Sequence, residues 1–180
     1  MSYSVYSTRG FILGSAPSGE AGKTYFLYTE QFGLVRATAI GVRHLKSKLR
    51  YNLEDYGFVT FSLVRGKEFW RITGAVSEAG AGHDSPTGQD LLQARARILS
   101  FMKRLVQGEE RNDDLFVVLL SLFAQDASTL ATKGDLVDFE TRILARCLAA
   151  LGYVDLASIE GMEQREMIVA INKALRESHL

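Results

Sequence analysis

The chain of 180 residues is 47% hydrophobic and 23% charged, with 21 basic side chains against 21 acidic ones. Those proportions exclude a wholly disordered chain, and the length suffices for one or two domains that fold without staples. The longest apolar run, Leu115 to Ala124, is interrupted by Ser121 and too short for a bilayer span, the amino terminus has no leader-like apolar stretch, and Cys147 is alone. A reduced, soluble, cytoplasmic protein is expected.

The first part of the chain reads as β-structure. Ser7 to Ser15 alternates loosely, and Pro17-Ser18-Gly19 breaks it. Thr24 to Thr29 and Leu34 to Val42 follow as short strands. Tyr56 to Val64 alternates clearly: Val59, Phe61 and Leu63 face one way, Tyr56, Phe58, Thr60 and Ser62 the other. Arg65-Gly66-Lys67 is a hairpin turn, and Phe69 to Val76 is the next strand, with Lys67, Phe69, Arg71 and Thr73 on one face and Trp70, Ile72 and Val76 on the other. Five short strands with glycine-bearing turns predict a five-stranded Greek-key barrel of the OB type over residues 1–76.

Residues 77–90, rich in Gly and Ser, read as a linker, and residues 91–180 as an all-helical domain. Leu91, Leu92, Ile98, Leu99, Met102, Leu105 and Val106 form one helical stripe ending near Gly108. Asn112 to Asp114 can cap a largely buried helix that begins at Leu115. Asp135 is placed as the cap of a third helix, closed by Gly152, and Ser158 as the cap of a fourth carrying Met162, Ile168, Ile171 and Leu175. The fold class is α+β, a barrel followed by a helical domain.

Charge is segregated along the chain. Residues 1–76 hold ten Lys/Arg against five Asp/Glu, a net of +5, which leaves −5 for the remainder. Arg36, Arg43, Lys46, Lys48 and Arg50 fall in a stretch with no acid between Glu30 and Glu54. A solvated basic loop and a phosphate-binding surface both fit that composition. The strand face bearing Lys67, Phe69 and Arg71 alternates cation, aromatic, cation, which suits a single strand whose phosphates meet the charges while a base stacks on the ring. Tyr51, beside Arg50, is a further stacking candidate, as is Phe58, although either Phe58 or Phe69 could instead close the barrel. If all five cations of the basic stretch met phosphates, the log–log salt slope for a single strand would reach roughly −3.5, at ~0.7 per contact.

Other chemistry finds little support. Gly22-Lys23-Thr24 matches the end of a phosphate-binding loop, but Pro17 stands where the motif requires glycine and Tyr25 to Tyr28 reads as a strand. His44, His83 and His179 lie apart in a loop, the linker and the tail, so no triad or metal cluster can be drawn. Cys147 belongs to an apolar helical stripe and reads as a buried structural thiol. Glu109/Glu110 and Asp113/Asp114 read as capping and dipole-complementing acids at a helix boundary. No enzyme activity, metal or cofactor is expected.

Taken in order, Gly19-Glu20, Leu27 to Gly33, Ala39-Ile40-Gly41-Val42-Arg43, Lys46-Ser47-Lys48-Leu49-Arg50, and later Phe139-Glu140-Thr141-Arg142-Ile143-Leu144 with Leu151-Gly152, the sequence resembles the bacterial RecO recombination-mediator family. The resemblance implies an OB barrel joined to a helical domain, binding of single- and double-stranded DNA, annealing of complementary strands, and help in loading RecA onto strands coated by single-strand-binding protein. It implies RecR and the acidic tail of single-strand-binding protein as partners, and a location in the bacterial cytoplasm with the nucleoid. It assigns the DNA-contact role to Arg43, Lys46, Lys48 and Arg50. Many members carry a cysteine-based zinc module after the Leu-Gly segment, whereas here Tyr153-Val154-Asp155-Leu156 leads directly to Ser158 without cysteines. Arg142 or Arg146, beside apolar helix residues, is the candidate seat for the partner tail. An RNA-binding OB protein and a scaffold acting through its acidic half are the alternatives.

Overall fold

The computed structural model describes residues 4–78, 86–130, 132–159 and 161–177. His83, His179 and half of the expected linker, residues 79–85, lie outside the described residues. Five strands, β1 (Val5–Ser18), β2 (Gly22–Thr29), β3 (Gly33–Ala39), β4 (Phe58–Arg65) and β5 (Trp70–Ser77), close into a barrel in the order β1-β2-β3-β5-β4. This is the expected OB topology. All strand pairs are antiparallel except β3 with β5.

Closure depends on β1. Its first half pairs with β4 and its second half with β2, and a bulge between Ile12 and Gly14 bends it from one partner to the other. Inward residues alternate along each strand. Ile12, Leu27, Val35, Ala37, Phe61, Leu63 and Trp70 fill the interior with Tyr25. Each large apolar side chain so buried stabilises the fold by about 1.5–3 kcal/mol. Burial also pushes the Tyr25 phenol up to about 12.

Three sequence readings are corrected here. β1 does not stop at Pro17: the proline pairs with Lys23 in the ladder, and the turn comes after Ser18. Tyr56 is not in β4; its φ of +67° puts it in a turn, where its amide donates to the Ile12 carbonyl at 2.9 Å. Val76 does not share the inward face of Trp70 and Ile72. Ser62 pairs with Gly74 while Leu63 pairs with Ile72, so Thr73 is an extra residue, and the shifted parity leaves Val76 62% exposed.

The helices are α1 (Pro86–Leu105), α2 (Asp113–Ala124), α3 (Lys133–Ala150), the one-turn α4 (Leu156–Ile159) and α5 (Gln164–Glu177). The chain forms two compact units that part within α1: Leu99–Arg111 belong with the barrel, and α1 up to Ile98 belongs with the residues from Asn112 onward. In the first unit the segment after α1 lies against the barrel, where the Leu34 amide donates to the Gly108 carbonyl at 3.2 Å. Gly33, at φ +61°, leaves room for it, since a Cβ there would sit 2.1 Å from the Glu110 carbonyl oxygen. Glu109 is therefore more than a helix-boundary acid. Its carboxylate accepts from Trp70 Nε1 at 2.9 Å and from Arg65 at 3.2 Å.

In the second unit, Asn112 caps α2 as expected, accepting from the Leu115 amide at 2.9 Å. The cap of α3 is Thr132, not Asp135, which instead completes a capping box from the third helical position. Ser158 lies inside α4 and does not cap α5. The buried side chains of α5 are Met167 and Ile171, with Ile168 left exposed. Arg95 donates to the Leu122, Phe123 and Gln125 carbonyls and so closes the C-terminus of α2. Cys147 is fully buried, and burial pushes its thiol up to about 12. No helix among the described residues is long and apolar enough to cross a membrane.

Candidate nucleic-acid interface

The basic stretch after Ala39 forms the connection from β3 to β4. Val42 and Leu53 are buried and Leu49 packs against the barrel core, which pins the connection at three points. Between them the chain turns outward. Gly41 adopts φ +68°, and a short 3-10 turn covers Lys48–Tyr51. Because Val42 and Leu49 point inward, Arg43, Lys46, Lys48 and Arg50 are left facing solvent. Residues 41 and 43–47 line an open cavity of about 720 Å³. Arg43 is steadied by two contacts with the β1–β2 turn: its amide donates to the Ala21 carbonyl at 2.9 Å and its guanidinium to the Glu20 carbonyl at 3.2 Å. Tyr51, 72% exposed, stands beside Arg50.

A second group lies on the outer face of β3 and β5. The parallel register sets Thr38 against Arg71, so the outward residues of the two strands run side by side. Arg36 is exposed, and its guanidinium carbon lies 5.2 Å from the centre of the Phe69 ring. Phe69 is 40% exposed. It shares with Lys67, Arg71 and Thr38 a cavity of about 480 Å³, which Glu68 also lines. Phe58 behaves differently. It is 8% exposed and stacked on Phe11, its partner across the β1–β4 ladder, ring centres 4.9 Å apart, so it is buried and offers no surface to a base.

Among the described residues, Arg36, Arg43, Lys46, Lys48, Arg50, Lys67 and Arg71 make no ion pair, while Arg9 and Arg65 are paired with Glu30 and Glu109. Leaving like charges on one small barrel without carboxylate partners costs self-repulsion that an anionic ligand relieves. The sequence reading overlooked Phe26, the β2 neighbour of Arg36, whose ring centre lies 5.4 Å from the guanidinium carbon. The parity of β2 was the available signal, since Phe26 alternates with the inward Tyr25 and Leu27.

Gly22-Lys23-Thr24 opens β2, not a helix, and so lacks the helix N-terminus that a phosphate-binding loop requires. In the second unit Arg142 and Arg146 border a cavity of about 520 Å³ with apolar walls from Phe139, Ile143, Leu156, Ile159 and Met167. Arg142 donates to Asp138 at 2.7 Å, while Arg146 makes no ion pair among the described residues.

Residues 1–79 match the family described as recombination protein O N terminal. The chain is 30% identical over 148 residues to the DNA repair protein RecO of Dehalococcoides mccartyi, covering 77% of this chain and 54% of that protein. It is 37% identical over 73 residues to the DNA repair protein RecO of Rubrobacter xylanophilus, covering 41% of this chain and 29% of that one. The chain thus spans about half the length of the first relative and less than a third of the second.

Proposed function

Because the chain belongs to the RecO family through its amino-terminal domain, we propose that it is a DNA-binding recombination mediator, without catalytic chemistry of its own. The observation that carries this reading is the set of barrel cations that have no carboxylate partner among the described residues, concentrated on the β3–β4 connection and on the outer face of β3 and β5. Such a surface holds sugar-phosphate chains with little regard to sequence, because phosphate contacts position a strand without reading its bases. With two cationic groups on one barrel, two strands can be neutralised together. That lowers their mutual repulsion and speeds annealing.

In this reading the helical unit recruits partners. The Arg142/Arg146 cavity combines apolar walls with a cation, Arg146, that has no ion pair among the described residues, which suits the acidic, apolar tail of single-strand-binding protein. RecR is the second proposed partner, and loading of RecA onto coated strands is the proposed outcome.

The test is strand annealing with two complementary oligonucleotides, bare and coated with single-strand-binding protein. The protein should accelerate both reactions, and a tail peptide of single-strand-binding protein should suppress only the coated one. A folded sample that leaves bare-strand annealing at the spontaneous rate contradicts the reading.

A further inference from the structure

One row of residues crosses the barrel wall at a single level. Gly14 of β1 pairs with Phe26 of β2, and Phe26 pairs with Arg36 of β3. Phe69, immediately before β5, completes the row against Arg36. Neighbouring strands lie about 4.8 Å apart, so the four positions form a short band on the outer surface.

Helix α1 adds a cation to this band. Lys103 lies in the part of α1 that belongs to the barrel unit. Its stem crosses Gly14: a Cβ built on that glycine would be 3.8 Å from Lys103 Cδ and 3.5 Å from Nζ. Gly14 sits at the β1 bulge with φ +139°, a conformation that other residues rarely adopt. The bulge therefore opens a side-chain-free channel through which Lys103 reaches the Phe26 ring, placing Nζ 4.0 Å from its centre.

Two cations thus converge on one aromatic ring, Lys103 and Arg36, and neither has a carboxylate partner among the described residues. Each gains something from the ring, but such contacts are small at half-exposed sites and do not neutralise charge. The ring fixes the two charges in place, and an anion between or beside them would relieve their repulsion. Phe69 stands next in the row with part of its surface open, where an unpaired base can stack.

We propose that Lys103 and Arg36, held by Phe26, form a phosphate seat for single-stranded nucleic acid, with Phe69 as the base platform, so that the interface includes helix α1 as well as the barrel. This rests on the nucleic-acid reading above and deepens it. A duplex keeps its bases stacked inside and cannot use Phe69, so the seat favours the single strand.

The experiment measures binding of the full chain to a fluorescent single-stranded oligonucleotide and to a blunt duplex of the same sequence, across a salt series. Lys103→Gln should weaken single-strand binding about five- to tenfold in dilute salt and reduce the log–log salt slope by ~0.7, the loss of one phosphate contact. Duplex binding should change less than twofold. Phe26→Leu, which keeps both charges and removes the ring that aligns them, should weaken single-strand binding with the slope unchanged, and thermal melting confirms that each variant is folded. If Lys46→Gln and Lys48→Gln weaken binding while Lys103→Gln changes neither affinity nor slope, the seat is refuted and the broader reading stands. An equal loss on the duplex also refutes it. A wild-type chain that binds neither ligand removes both.

Discussion

The two units use their positive charges differently. Among the described residues of the barrel unit, Arg9 and Arg65 are paired, but the cations of the β3–β4 connection and of the β3–β5 face are not. In the helical unit, Arg97 holds Glu140 at 2.7 Å through two parallel hydrogen bonds, Arg142 holds Asp138, Lys173 faces Glu177, and Arg95 is turned onto backbone carbonyls, although Arg146 makes no ion pair among the described residues. A net charge of zero for the whole chain conceals this division. Paired surface charges contribute little energy and attract little. Unpaired cations gathered on one surface create a field that draws a polyanion. The contrast supports the proposal that the barrel takes the nucleic acid and the helical unit serves packing and partner contacts.

Charge reversal tests that contrast most severely. Replacing Lys46, Lys48 and Arg50 together by Glu should weaken single-strand binding by about 100-fold or more in dilute salt, since three phosphate contacts become repulsions. Reversing Arg146 and Lys173 in the helical unit should change it less than threefold. Comparable losses from the two sets, read by fluorescence anisotropy, would erase the distinction between the units.

A smaller effect is expected from the ring. Phe69→Ala should cost ~1–3 kcal/mol of single-strand binding if a base stacks there, with melting temperature unchanged because the side chain is partly exposed. An unchanged affinity in an equilibrium titration would reduce the β3–β5 face to a purely electrostatic surface.

In the helical unit the corresponding probe is structural. Thr132→Ala removes one arm of the capping box of α3 and should lower stability by ~1 kcal/mol, seen in the helical circular dichroism melt. Single-strand affinity should not move, and a parallel loss of binding would show that the barrel surface depends on α3.

Alkaline titration separates the units most gently. Burial raises the Cys147 thiol and the Tyr25 phenol each to about 12 in the folded protein. In the unfolded chain they titrate near 8.5 and 10 respectively. Each therefore contributes stability that is complete below its unfolded value and is lost as pH rises toward about 12. The helical melt should begin to fall above about pH 8.5, and the barrel, followed through Trp70, only above about pH 10. Cys147→Ala should remove the earlier decline, and an unchanged early decline in that variant would contradict the assignment.

Much of this arrangement was legible in the sequence because it rests on strict periodicity. The alternation of Val59, Phe61 and Leu63 marks a barrel strand, and the stripe from Leu91 to Val106 marks one helix. The cations at 43, 46, 48 and 50 stand out because no acid interrupts them. What escaped has physical causes. A bulge adds one residue to β5, reverses the parity and turns Val76 outward. Linear spacing cannot disclose that Glu109 reaches Trp70, or that α1 passes its last two turns, from Leu99, to the barrel unit. For the same reason Phe26 counts in the sequence only as part of a short strand, and nothing in the spacing singles out Lys103.

The most direct test of the central claim is the salt dependence of single-strand binding by the intact chain. If the unpaired barrel cations meet phosphates, affinity should fall steeply with salt, with a log–log slope of about −2 to −3.5, and neutralising Lys46, Lys48 and Arg50 should flatten it by roughly 2. A slope near zero, or one that the neutralised variant reproduces, would contradict the account.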